Sequence, residues 1–132
     1  MKMKLFFIAA IFCIAINAQA NEKESKEKKS QLITPTLWAV SPDNFACNLT
    51  NVSKKNRIAQ VRIITNGEIL LDSGEVTVQP MHTIDHFIGG LPDGGPIYCE
   101  FTVEGRKNWY RGAAKLFRDS PNTTDFLVIS AE

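Results

Sequence analysis

This chain of 132 residues holds little of what enzymes and metal proteins are usually built from. It has two histidines and three cysteines. No Cys-x-x-C pair occurs, which removes the common redox motif and the common half-site of a structural zinc. No serine stands in a G-x-S-x-G elbow. The glycine pairs Gly89-Gly90 and Gly94-Gly95 do not follow a strand and open a helix, so a phosphate cradle is unsupported. A basic excess, the usual mark of a nucleic-acid binder, is also missing. Without Lys2 and Lys4 the 15 basic residues fall to 13 against 14 acidic ones, a net of −1. Past residue 16 no stretch approaches the ~20 apolar residues of a membrane span.

What is present begins with an export leader. Lys2 and Lys4 form a positive start, Leu5 to Ile16 is apolar but too short to span a bilayer, and Ala18-Gln19-Ala20 places small residues before a cleavage point at Asn21. Cys13 lies inside the apolar run behind Ile11 and Phe12, a context that does not suit lipid attachment. Residues 1–20 are therefore expected to be removed, leaving a periplasmic or secreted protein of 112 residues with no membrane-spanning segment. In that oxidising space Cys47 and Cys99 can pair. Residues 21–31 read NEKESKEKKSQ, with no hydrophobic residue, and are expected to form a charged flexible tether. The folded domain is placed at 32–132.

From Leu32 onward short alternating runs are separated by turn residues, the pattern of an all-β domain. Strands are expected at 37–40, 45–51, 58–65, 68–72, 75–79, 97–103, 109–117 and 126–130. Asn66-Gly67 supplies a type I′ hairpin signal, and Ser73-Gly74 is read as a break. Residues 82–88 fit two readings. Pro80 and Gly89 frame a short helix, whereas alternation of Ile84, His86 and Ile88 suits a strand. Eight or nine strands at this spacing predict an antiparallel β-sandwich. Cys47 and Cys99 each sit on the apolar face of a strand, placed to bridge the two sheets and close a loop of 52 residues.

The series Ala46 to Ser53, Asn66-Gly67, Leu71-Asp72-Ser73-Gly74, Tyr98 to Gly105 and Arg111-Gly112-Ala113-Ala114 resembles a group of small exported bacterial β-sandwich proteins of unassigned function. The likeness covers residues 37–118 and implies a fold and a compartment, but no catalytic residue. The layout is also similar to an immunoglobulin-like sandwich with an inter-sheet bridge. It departs from it in two places: no tryptophan lies between the cysteines, and Tyr98 adjoins Cys99.

Two side-chain groups carry functional expectations. Arg106, Lys107, Trp109 and Arg111 combine arginine with an aromatic, a mixture favoured at interface hot spots. Alternation puts Tyr110, Gly112, Ala114 and Leu116 inward and leaves Trp109, Arg111 and Lys115 outside, where Trp109 is expected either to pack against a neighbouring loop or to meet a partner. His82, Asp85 and His86 are the one cluster of metal-ligand types. On a helix the two histidines lie one turn apart, whereas on a strand they are about 13 Å apart, too far to share an ion. Asn48, Asn51 and Asn122 head N-x-S/T triplets, accidental matches in a bacterial periplasm. The expectation is a non-catalytic binding or accessory module without a cofactor, meeting a protein or glycan partner. The alternatives are a metal- or pH-responsive protein and a structural subunit that adds a strand to a partner's sheet.

Overall fold

The computed structural model describes residues 27–91, 93–120 and 123–132. The expected leader, residues 21–26 of the expected tether and Asn122 lie outside the described residues. Nine strands run in order: β1 (Lys29–Ile33), β2 (Leu37–Ala39), β3 (Asn44–Asn51), β4 (Arg57–Thr65), β5 (Glu68–Val78), β6 (Thr83–Ile88), β7 (Gly95–Glu104), β8 (Tyr110–Ser120) and β9 (Thr123–Ser130). A single 3-10 turn, Lys107–Trp109, separates β7 from β8.

The strands form two antiparallel sheets. In the first, β7 and β4 are central, β5 flanks β4, and β1 and β2 pair in succession along the other side of β7. In the second the order is β6-β3-β8-β9. Alternation fixes which face is buried, because successive side chains point to opposite sides. On β7 the residues Ile97, Cys99, Phe101 and Val103 face inward, and all are buried. Phe45, Cys47 and Leu49 meet them from β3, and Tyr110, Ala114 and Leu116 from β8, as the alternation predicts. Each fully buried Phe45, Leu49, Ile63 or Phe101 contributes about 1.5–3 kcal/mol through apolar burial. The Cys47–Cys99 disulfide joins β3 to β7 through the centre of this core, with a Cα–Cα distance of 5.8 Å.

Three elements differ from the sequence reading. The last three residues of the expected tether are strand: β1 starts at Lys29, where its backbone pairs with β7 from Glu104 to Glu100. Pairing with a free strand edge supplies what a charged sequence lacks alone, and Leu32 is buried against the core. Ser73-Gly74 is a bulge within one long β5, not a break. Gln60 pairs with Glu75 and Arg62 with Asp72, leaving Ser73 and Gly74 together opposite Val61. Gly74 takes the left-handed φ of 64° that such a bulge favours. The Val61 amide, displaced from the ladder, donates to the Ser73 hydroxyl at 2.9 Å. Residues 83–88 resolve as a strand, because β3 offers a free edge over Phe45–Thr50 that a helix would leave unpaired.

The neighbour of β7 also departs from the immunoglobulin layout. There the strand with the second cysteine lies beside the last strand of its sheet. Here β1 and β2 take that place, and β8 pairs with β3 instead. Reciprocal hydrogen bonds between Ile33 and Glu132 close one side of the sandwich.

Candidate functional site

The loops 52–56, 79–82 and 105–109 gather at one end of the sandwich, together with the start of β1. The Val52 amide donates to the Trp109 carbonyl at 2.8 Å, Asn51 donates to His82 at 3.1 Å, and Met81 donates to Asn51 at 2.7 Å. Gly105 donates to the Lys28 carbonyl at 2.8 Å. Asn51 holds this assembly from inside. Its buried amide donates to the carbonyls of Lys55 and Val78, both at 2.8 Å, and its oxygen accepts the Ser53 amide at 2.9 Å. Such a side chain is inaccessible to a glycosylating enzyme in the folded protein. Sequence reasoning registered Asn51 only as a triplet match, since the signal for its role is burial.

Trp109 belongs to this end, packed against its neighbours as the loop-packing alternative has it. It sits in the 3-10 turn that precedes β8, half-buried against the core. The Arg57 guanidinium stacks over its ring at 4.1 Å and that of Arg106 lies at 5.9 Å. A Cβ at Gly105 would stand 2.3 Å from a ring carbon, so only glycine lets the ring pack there. Arg57 is itself buried, and its charge is met by Glu27. Arg106, Lys107 and Arg111 are exposed, and Arg111 donates to the carbonyls of Asn108 and Tyr110 at 3.3 and 2.8 Å. The structure thus brings the four expected residues together but commits the tryptophan face to arginine. Tyr110 lies beneath, donating its hydroxyl to the Glu104 carbonyl at 2.7 Å. Burial pushes its pKa up to about 12, against the nearby Arg57 charge.

His82, Asp85 and His86 do not converge. His82 precedes β6 and its Nδ1 contacts the Pro80 carbonyl at 2.9 Å. Asp85 and His86 are adjacent on a strand, opposite Asn48 and Cys47 respectively, and so face opposite sides. Among the described residues no group of three His, Cys, Asp or Glu is placed to hold a metal ion.

Two aromatic residues reach solvent among the described residues: Phe87 of β6, 56% exposed and edge-on to Phe117, and Trp38, 68% exposed on β2 between buried Leu37 and Ala39. Trp38 pairs with Pro96 at the start of β7. Two residues on, Tyr98 shares the same face and pairs with Ile64 of β4, which pairs in turn with Ile69 of β5. Ile64 keeps only 7% exposure although it lies on the outer face, so its neighbours close over it. Ile69 is more than half exposed. Two adjacent rungs, Trp38–Pro96 and Tyr98–Ile64–Ile69, therefore make an apolar row that crosses four strands of the first sheet with one step along β7. The next row is charged: Glu100, Arg62 and Asp72 are cross-strand neighbours. Arg62 bonds Asp72 at 3.0 Å and Glu100 at 3.2 Å, and Gln60 bonds Asp72 at 2.8 Å. These contacts raise the Arg62 pKa. The Gln60 amide comes first among the groups that lower that of Asp72.

At this same end Asp43 anchors the loop before β3. Burial works against its carboxylate, but hydrogen bonds from Arg118 and the Val40 amide outweigh it and hold its pKa below 3.8.

No family model and no curated protein matches the chain. A solved structure from Thermotoga maritima, its protein 1070, is similar with a TM-score of 0.55 over 77% of this chain and 91% of that one. At 10% identity the likeness is one of fold alone. No helix among the described residues is long and apolar enough to cross a membrane.

Proposed function

We propose that the protein is an exported, non-catalytic binding module whose contact surface is the outer face of the first sheet around Trp38. The observation that carries this reading is the Trp38–Pro96–Tyr98–Ile64–Ile69 row, held on four paired strands. A rigid aromatic on a strand loses little conformational entropy when covered. An apolar centre beside a polar row has the anatomy of a protein–protein contact. The polar groups next to the row also speak for a protein rather than a glycan. Arg62, Asp72, Glu100 and Gln60 already satisfy one another, leaving few donors and acceptors for sugar hydroxyls. The disulfide supports the extracytoplasmic setting, since such bonds persist in oxidising compartments. Within that setting the disulfide-bridged pair of antiparallel sheets serves as a stable frame for the face.

Affinity capture with the oxidised protein tests the reading. Trp38→Ala and Ile69→Lys are each expected to lose a specific protein partner while the fold persists. Trp109→Phe, altered only at the other end, is expected to retain it. Retention by Trp38→Ala, or capture of glycans in place of protein, contradicts the proposal.

A further inference from the structure

The end of the sandwich opposite Trp38 is basic, although the protein without its leader carries no basic excess. Lys54 and Lys55 come from the β3–β4 loop, Arg106 and Lys107 from the β7–β8 turn, Arg111 from the start of β8, and Lys28 from the approach to β1. These residues are remote in sequence and are gathered by the loop contacts that Asn51, Trp109 and Gly105 make. All six are exposed, and none forms an ion pair among the described residues. Among the described residues two carboxylates beside them are engaged elsewhere: Glu27 with Arg57, and Glu104 with the Ile58 amide at 3.1 Å. Met81 projects from the third loop at this end with 72% exposure, at a left-handed φ of 60°.

We propose that this end docks on an anionic phospholipid surface. Charge complementarity is the first argument, since segregated cations attract a polyanionic plane. The second is where the remaining chain joins. Residues 1–26, which include the apolar run Leu5 to Ile16, enter the fold at Glu27 on this same end. On the reading of Leu5 to Ile16 as an export leader, the basic end is the one joined to it. The third is Met81, an apolar side chain among cations, which suits an interface of headgroups and acyl chains better than a soluble polyanion. Each lysine or arginine near such a surface is worth about fivefold in partitioning, or about 1 kcal/mol.

Co-sedimentation of the oxidised protein, purified after export, tests the proposal. The vesicles are of phosphatidylglycerol and phosphatidylcholine in equal parts, with phosphatidylcholine alone as the comparison. Binding to the anionic vesicles at low salt and release at high salt is the expected result. Replacing both Lys54 and Lys55 by Gln is expected to weaken it about 30-fold. The pair Arg106→Gln and Lys107→Gln is expected to do the same, which guards against a folding defect in either variant. Trp38→Ala is expected to bind vesicles normally, so this result and the protein-contact reading fail separately. Equal binding to both vesicle types, indifference to the paired substitutions, or binding to soluble heparin but not to vesicles overturns the proposal.

Discussion

Asn51 and Tyr110 show how single polar side chains organise the basic end. Asn51 spends its whole amide on three backbone groups inside the protein. Asn51→Leu removes the amide that serves all three groups, its bond to the Val78 carbonyl lying in the buried interior, so unfolding in urea is expected to show a loss of about 2–3 kcal/mol. Lys54 and Lys55 lose their fixed presentation with it. Tyr110 couples stability to alkaline pH. Its phenol titrates near 12 when folded but near 10 when unfolded. The stability this shift contributes is complete below pH 10 and is lost as pH rises toward 12. Tyr110→Phe is expected to flatten that alkaline limb of the stability profile, which denaturation at a series of pH values between 9 and 12 measures. An unchanged limb would place the alkaline sensitivity elsewhere. Trp109 teaches the complementary lesson. Its position beside three basic residues left a partner contact open alongside packing, and the buried partner Arg57 that decides between them lies 52 residues away in sequence and gives no local sign.

At the level of elements, most strands were legible because alternation and turn residues coincide. β3, β4, β7 and β8 have one face in the core, and their apolar period shows it. β1 was not legible. Its residues KSQLI carry charge, and only the free edge of β7 makes them a strand. The merging of two strands into β5 was hidden for a related reason. A bulge and a break look alike in sequence, since both use Ser-Gly, and the difference lies in whether Val61 across the ladder finds a partner. Ser73→Ala removes that acceptor. The variant is expected to lose about 1–3 kcal/mol and to exchange the Val61 amide faster with solvent, as nuclear magnetic resonance can follow. The bulge also bears on the strand-addition alternative at this edge. β5 is the longest edge, at 11 residues, but Ser73-Gly74 interrupts its outer rim, a common way of blunting an edge.

For the molecule as a whole, the disulfide and the division of surfaces matter most. The bridge closes 52 residues between sheets, and the chain-entropy model assigns it roughly 4 kcal/mol. Replacing Cys47 and Cys99 together by Ala is expected to lower the unfolding free energy measured in urea by most of that amount. The bridge was legible from the alternation of the two strands taken together with the leader's implied oxidising compartment. The surfaces were not: Trp38 lies in a run of three strand residues with no motif, and the basic end is assembled from four separate segments. Both become visible only once the sheets are paired. The central claim is that the Trp38 face meets a protein. A photo-reactive side chain placed at position 38 or 69, and irradiated in cells, tests it most directly. Each is expected to cross-link the same protein species, while the same group at Asp85, on the outer face of the second sheet, gives none. Equal cross-linking from position 85, or none from position 38, would contradict the account.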